Sequence, residues 1–192
     1  MTRLFLRRWF QQMASSFRMG RLASRPNRRR TRLHLEGLEG RCVPSTVTTL
    51  DDAGAGSLRQ ALLDTPAGGT VDFQPGLSGT ITLTSGELAI NKDLTVAGPG
   101  PDVITVSGNH ASRVFDIAAH VTVALSGLTI ADGFTLDSFG AGIQNSGTLT
   151  VTGSTLSGNA ASCGGGIDNE FFGTLTVIDS TISDNMAGLH SI

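Results

Sequence analysis

The sequence predicts an all-β fold, a parallel β-helix, and three observations predict it. The first is a repeat. Residues 123–133, 149–159 and 175–185 align column by column at intervals of 26 residues, and a period of that size calls for a repeat architecture before any other. The second is alternation inside each unit. Leu149/Val151 and Leu175/Val177 alternate with Thr, and Val123/Leu125 fill the same columns, which is the period-2 signature of a strand. The third is punctuation. Of 25 glycines, 22 follow residue 45, many falling with Asn between the apolar runs, where tight turns need positive φ. Three short strands and three turns in about 25 residues make one coil, stacked ~4.8 Å on the next.

From the N-terminus, the chain divides in two: a segment at 1–45 and the β-helix at 46–192. Residues 1–45 hold eleven Arg against Glu36 and Glu39, a net +9, whereas 46–192 holds Arg59, Lys92 and Arg113 against fourteen acids, a net −11. The overall charge of −2 describes neither part. Leu6, Trp9, Phe10, Met13, Ala14 and Phe17 share one helical face among arginines, and Pro26 with the Arg run at 28–30 ends it. The segment therefore reads as a basic extension, partly helical or disordered. Such a segment suits an anionic membrane surface, a targeting receptor or nucleic acid. With no aromatic-basic fold behind it, no nucleic-acid partner is expected. Arginines interrupt every apolar core that a standard signal peptide needs. No apolar run is long enough to be a transmembrane helix.

Next comes a helix. Ser57 and Gln60 have capping-box spacing, opening a helix that runs through Asp64 until Pro66 stops it. Leu58, Ala61 and Leu62 share its apolar face, which is expected to cover the N-terminal end of the solenoid. Short alternating strands follow at 80–83, 88–90, 94–96, 103–106 and 114–117, leaving room for about five coils between 70 and 192. At the turns of the repeats, Asn145 recurs as Asn169 and Asn159 as Asn185. Stacked asparagines form side-chain amide ladders, so these columns are read as structural. Ile192 falls within a coil, which leaves the last one unfinished. The expectation is a partial version of a longer protein, or end-to-end self-association through the uncapped coil.

The outward column Asp116, Gln144, Asp168, with Glu170 and Asp137 near it in sequence, is the candidate site. Asp116, Asp168 and Glu170 are weak Ca²⁺ candidates. No Lys or Arg follows Arg113, so the column is expected to lack a basic partner and to serve as a solvated face that discourages edge pairing. No catalytic residue and no required cofactor is assigned. His110, His120 and His190 show no metal-ligand spacing, and His34 lies in the basic segment. Cys42 and Cys163 make neither a disulfide framework nor a four-Cys zinc site, and Cys163 reads as a lone exposed thiol. No Gly-Lys-Ser/Thr phosphate loop occurs.

Two stretches resemble known families. Residues 35–45, with Leu38, Glu39, Arg41, Cys42 and Pro44, are similar to the Leu-Glu-x-Arg motif that follows an Arg-rich stretch in many exported planctomycete proteins, which implies sorting or processing. Thr46-Val-Thr-Thr-Leu-Asp-Asp52 followed by Gly56-Ser-Leu-Arg-Gln-Ala61 resembles the CSLREA segment that opens many bacterial β-helix proteins. The matching pieces continue at 70–73, 79–83, 98–101 and 106–109. The Gly-Gly-Gly-Ile and Ser-Asp-Asn pieces resemble polymorphic outer-membrane repeats, although Leu156 and Ile182 stand where that motif has Phe. The resemblance implies a right-handed parallel β-helix of the pectate-lyase-like kind. The polygalacturonase Asn-Thr-Asp, Asp-Asp and Gly-His-Gly motifs are missing. The expected function is therefore a non-catalytic exported surface or envelope protein, adhesive or structural, with a cell-surface glycan or envelope protein as partner. A polysaccharide lyase or glycoside hydrolase on the same scaffold is one alternative, and a glycan- or protein-binding passenger-like module is another.

Overall fold

The computed structural model describes residues 45–188; the Leu38–Pro44 motif, Cys42, His34 and His190 lie outside them. Within that span every named strand pairs in parallel, and the chain winds a β-solenoid of about 6 turns. Three sheets run its length. The first holds β1 (Ser45–Val47), β2 (Gly69–Phe73), β5 (Leu94–Ala97), β8 (Thr122–Ser126), β11 (Thr148–Thr152) and β15 (Thr174–Ile178). The second holds β3 (Gly79–Thr82), β6 (Ile104–Ser107), β9 (Thr129–Ala131), β12 (Thr155–Ser157) and β16 (Thr181–Ser183). The third holds β4 (Leu88–Ile90), β7 (Phe115–Ile117), β10 (Ile143–Asn145) and β14 (Ile167–Asn169), and a small fourth pairs β13 (Ala160–Ala161) with β17 (Met186–Ala187).

The registers turn the sequence alignment into columns. Val71, Val96, Leu125, Val151 and Val177 lie one above another in the first sheet, and Ile81, Val106, Ile130, Leu156 and Ile182 in the second. Since alternate side chains point to one face, each column enters the core as a unit, and every member except those of the last described coil is buried. Burying such a Val, Leu or Ile stabilises by about 1.5–3 kcal/mol apiece. In the last described coil the members of these columns, Val177 and Ile182, are exposed.

One helix, α1 (Leu58–Asp64), packs against β1 and β2 with Leu58, Ala61 and Leu62 buried. Ser57 caps it, its hydroxyl accepting from the Gln60 amide at 3.2 Å. The capping box is only half built, however. The Gln60 side chain donates to Asp64 at 2.8 Å instead of accepting from the Ser57 amide, which already donates to the Gly54 carbonyl at 3.2 Å. At the other end the Thr65 amide and hydroxyl both donate to the Ala61 carbonyl before Pro66. A partly buried lock joins this helix to the next coil. Asp52 accepts from Arg59 at 2.7 and 3.2 Å and from the Thr84 and Ser85 amides and hydroxyls, while Arg59 also reaches the Gly86 and Glu87 carbonyls.

Candidate functional site

The third sheet carries the site. Register stacks Ala89, Asp116, Gln144 and Asp168 on its outward face while Leu88, Phe115, Ile143 and Ile167 point inward. Parallel stacking puts residues one coil apart at ~4.8 Å, so Gln144 separates the two aspartates. Glu170, just past β14, accepts a hydrogen bond from the Gln144 amide at 2.5 Å. Among the described residues, no group of three or more His, Cys, Asp or Glu is arranged to hold a metal ion. The three Ca²⁺ candidates are thus spread along a column with an amide between them.

The expectation that this column lacks a basic partner is wrong. Arg113, only 8% exposed, lies at its edge. Its guanidinium donates to Glu87 at 2.9 Å and stands 3.8 Å from Asp116. The remaining donors go to the Gly140 and Phe139 carbonyls at 3.1 and 3.0 Å and to the Ser138 hydroxyl at 3.2 Å. One buried cation therefore ties three successive coils together. The sequence held the signal: Glu87, Arg113 and Phe139 are spaced 26 apart, one coil each. Asp168 feels both signs of charge. Burial and the neighbouring Glu170 carboxylate push its carboxyl up, and Arg113 pulls against them. A raised carboxyl within the field of an arginine is an arrangement that acid–base chemistry uses, yet the Arg113 contacts are to Glu87, Asp116, Ser138, Phe139 and Gly140.

The asparagine columns close two corners. Asn145, fully buried, sits in the column of Ile90 and Ile117. It donates to Asn169 Oδ1 at 2.7 Å and to the Thr174 carbonyl at 3.1 Å, and accepts from the Gly147 amide. Asn159, also fully buried, donates to Asn185 Oδ1 at 2.9 Å and to the Ile130 carbonyl at 3.0 Å, and accepts from the Gly133 amide at 2.8 Å. Gly142 and Gly166 cover these amides: a Cβ on either would lie 3.1 Å from the Asn159 or Asn185 side chain. The Gly-Gly-Gly-Ile and Ser-Asp-Asn pieces are accordingly two sides of one contact. Cys163 is exposed, as a free thiol.

Sequence reasoning passed over the exposed aromatics. Phe171 and Phe172 are 93% and 88% exposed and meet edge to face, centroids 4.9 Å apart. Among the described residues no helix is long and apolar enough to cross a membrane. No family model, curated protein or solved structure matches this chain.

Proposed function

We propose that this chain is a non-catalytic, exported surface or envelope β-helix protein with an adhesive or structural role. The observation that carries the reading is the division of its side chains: apolar columns fill the core, and flat Thr- and Ser-lined ladders face outward. A rigid solenoid of this kind offers long surfaces for contact and little that must move. Arg113, the cation beside the acidic column, has its donors spent on holding coils together. The resemblance to the sorting motif and to the CSLREA segment supports export, the right-handed pectate-lyase-like kind of helix and a cell-surface glycan or envelope protein as partner. Fractionating cells and sequencing the N-terminus of the recovered protein tests location and processing together; recovery of the intact chain from the cytoplasm removes the proposal.

The enzymatic reading is favoured by the outward column in which Asp116, Gln144 and Asp168 stack with Glu170 and Arg113 at its edges, burial and Glu170 pushing the Asp168 carboxyl up. Incubation with uronic-acid polymers and Ca²⁺ decides it. Absorbance from an unsaturated product, abolished in Asp168→Asn, would establish a lyase. End-to-end association belongs to the same proposal, supported by the exposed Val177, Ile182 and Met186 of the last described coil. A monomer by size-exclusion chromatography at high concentration removes it.

A further inference from the structure

A notch in the side of the solenoid is built by corner length. The corner from the third sheet into the first is made by residues 118–121 after β7, by 146–147 after β10, and by 170–173 after β14. Backbone hydrogen bonds keep the ends of these corners in register. The Ser146 amide donates to Ile117 at 3.0 Å and Thr148 to Val121 at 2.8 Å; Glu170 donates to Asn145 at 2.9 Å and Thr174 to Gly147 at 2.8 Å. With the ends fixed, the two additional residues of each longer corner bulge outward. His120 does so at φ 66°, and Phe171 and Phe172 form the tip of a turn closed by Gly173 donating to Glu170 at 2.8 Å. The short corner between them becomes a floor. The resulting cleft holds about 220 Å³, with His120 on one wall, Glu170 and Phe172 on the other, and Ser146 and Thr148 along the bottom.

We infer that this notch binds one ring of a neutral pyranose saccharide, stacking the C–H face of the sugar on Phe172. The inference rests on the adhesive reading above and gives it a site. Two adjacent Phe side chains held almost wholly in water are costly unless an occupant covers them. The edge-to-face contact with Phe171 helps to orient the Phe172 ring. A sugar is apolar on its ring faces and polar around its rim, and the notch mirrors that division. The Ser146 and Thr148 hydroxyls donate and accept, His120 does either through its two nitrogens, and the Glu170 carboxylate accepts, with Gln144 taking one of its roughly four sites. A cleft below the usual drug-sized pocket of about 300 Å³ or more fits a single ring. Charge selects among sugars. Glu170 lines the notch and Asp168 lies two residues before it, so a uronate is repelled while a neutral hexose or N-acetylhexosamine is not.

The test uses the full chain, isotopically labelled, titrated with an N-acetylglucosamine tetramer, a glucose tetramer and a galacturonate trimer. Amide shifts of residues 119–120, 146–148 and 170–172 report the site. The expected result is saturable shifts there with a neutral oligosaccharide, at a Kd on the order of 1 mM as befits one ring, and no response to the galacturonate. Phe172→Ala should weaken binding about tenfold with an unchanged melting temperature, whereas Phe172→Trp should retain it. Phe172 is a surface position, so folding is not at stake in either variant. The inference is overturned if neutral sugars leave these amides unmoved at 20-fold that concentration (~20 mM), if galacturonate binds best, or if Phe172→Ala binds as the parent does. Retention on whole cells without any response of the notch sinks the notch and leaves adhesion standing; sugar binding at the notch without retention on cells does the reverse.

Discussion

Removing the Asn159 side chain should damage the solenoid more than removing its stacking partner, and the structure gives the size of the difference. Asn159 is fully buried and makes three side-chain hydrogen bonds, to the Ile130 carbonyl, Asn185 Oδ1 and the Gly133 amide, at 3.0, 2.9 and 2.8 Å. Each is worth about 1 kcal/mol net, and a buried group left without a partner costs about 1–3 kcal/mol. Asn159→Ala strips the buried Gly133 amide of its acceptor, so the expected loss is about 3–5 kcal/mol. For a domain of this size that corresponds to a melting temperature lower by roughly 6–20 °C. Asn185 donates to the Leu156 and Ser183 carbonyls at 2.9 and 2.8 Å and accepts from the Asn159 backbone and side-chain amides at 3.1 and 2.9 Å, but it is half-buried, so water replaces much of what is lost on either side. Asn185→Ala should therefore cost about 1–2 kcal/mol. Asn159→Asp adds a chemical check. It keeps volume and the acceptor for Gly133, yet places an oxygen against two other acceptors. It should be at least as unstable as the alanine variant at pH 7 and should recover in acid, where protonation restores one donor. Thermal melts followed by circular dichroism at pH 7 and pH 4 decide the matter. A melting temperature for Asn159→Ala within 2 °C of the parent, less than a 1 kcal/mol loss gives, or a larger loss for Asn185→Ala, refutes the reasoning.

Burial raises the Asp52 carboxyl, but hydrogen bonds from Ser85, Arg59 and Thr84 outweigh it and hold the group well below the usual carboxylate range. Its contribution is thus fully present above the unfolded value of about 3.9 and is lost as pH falls through the folded one; Asp52→Asn should cost about 1–3 kcal/mol at pH 7 and flatten the acid limb of a stability–pH curve, and an unchanged acid limb counts against the lock. Asp168 has the opposite sign, since its folded value is raised: the penalty is present above that value and absent below about 3.9. Urea melts should find Asp168→Asn more stable than the parent at pH 7, with the gap closing in acid. Deleting Phe171 and Phe172 leaves Asn169-Glu170-Gly173-Thr174, a corner as short as 145–148; because shortening a surface loop costs little, the melting temperature should hold within about 5 °C while the notch and its saccharide binding disappear.

Much of this fold was legible because a solenoid repeats its physics at a fixed interval. Leu149 and Leu175, or Ile130 and Leu156, occupy equivalent columns for the same reason that they align in sequence: each residue hydrogen-bonds beside its own counterpart one coil away. The asparagine columns were readable on the same grounds. Gln60 was misread because the Ser57 amide it would accept from is already bonded to the Gly54 carbonyl, a turn that sequence spacing does not show. Arg113 was missed for a different cause. It stands three residues before Asp116, while Glu87 and the Phe139 and Gly140 carbonyls that fix its guanidinium lie a coil away on either side, a link that only the period reveals. The notch was written in the numbers without being read. The interval from Asn145 to Asn169 is 24, while that from Leu149 to Leu175 is 26. Strands held in register cannot absorb a two-residue difference, so it must emerge at the corner between them, where residues 170–173 replace 146–147. In a repeat protein the period locates the core, and departures from the period locate the surfaces that differ from coil to coil. Those departures, more than the columns, are where recognition has room to arise.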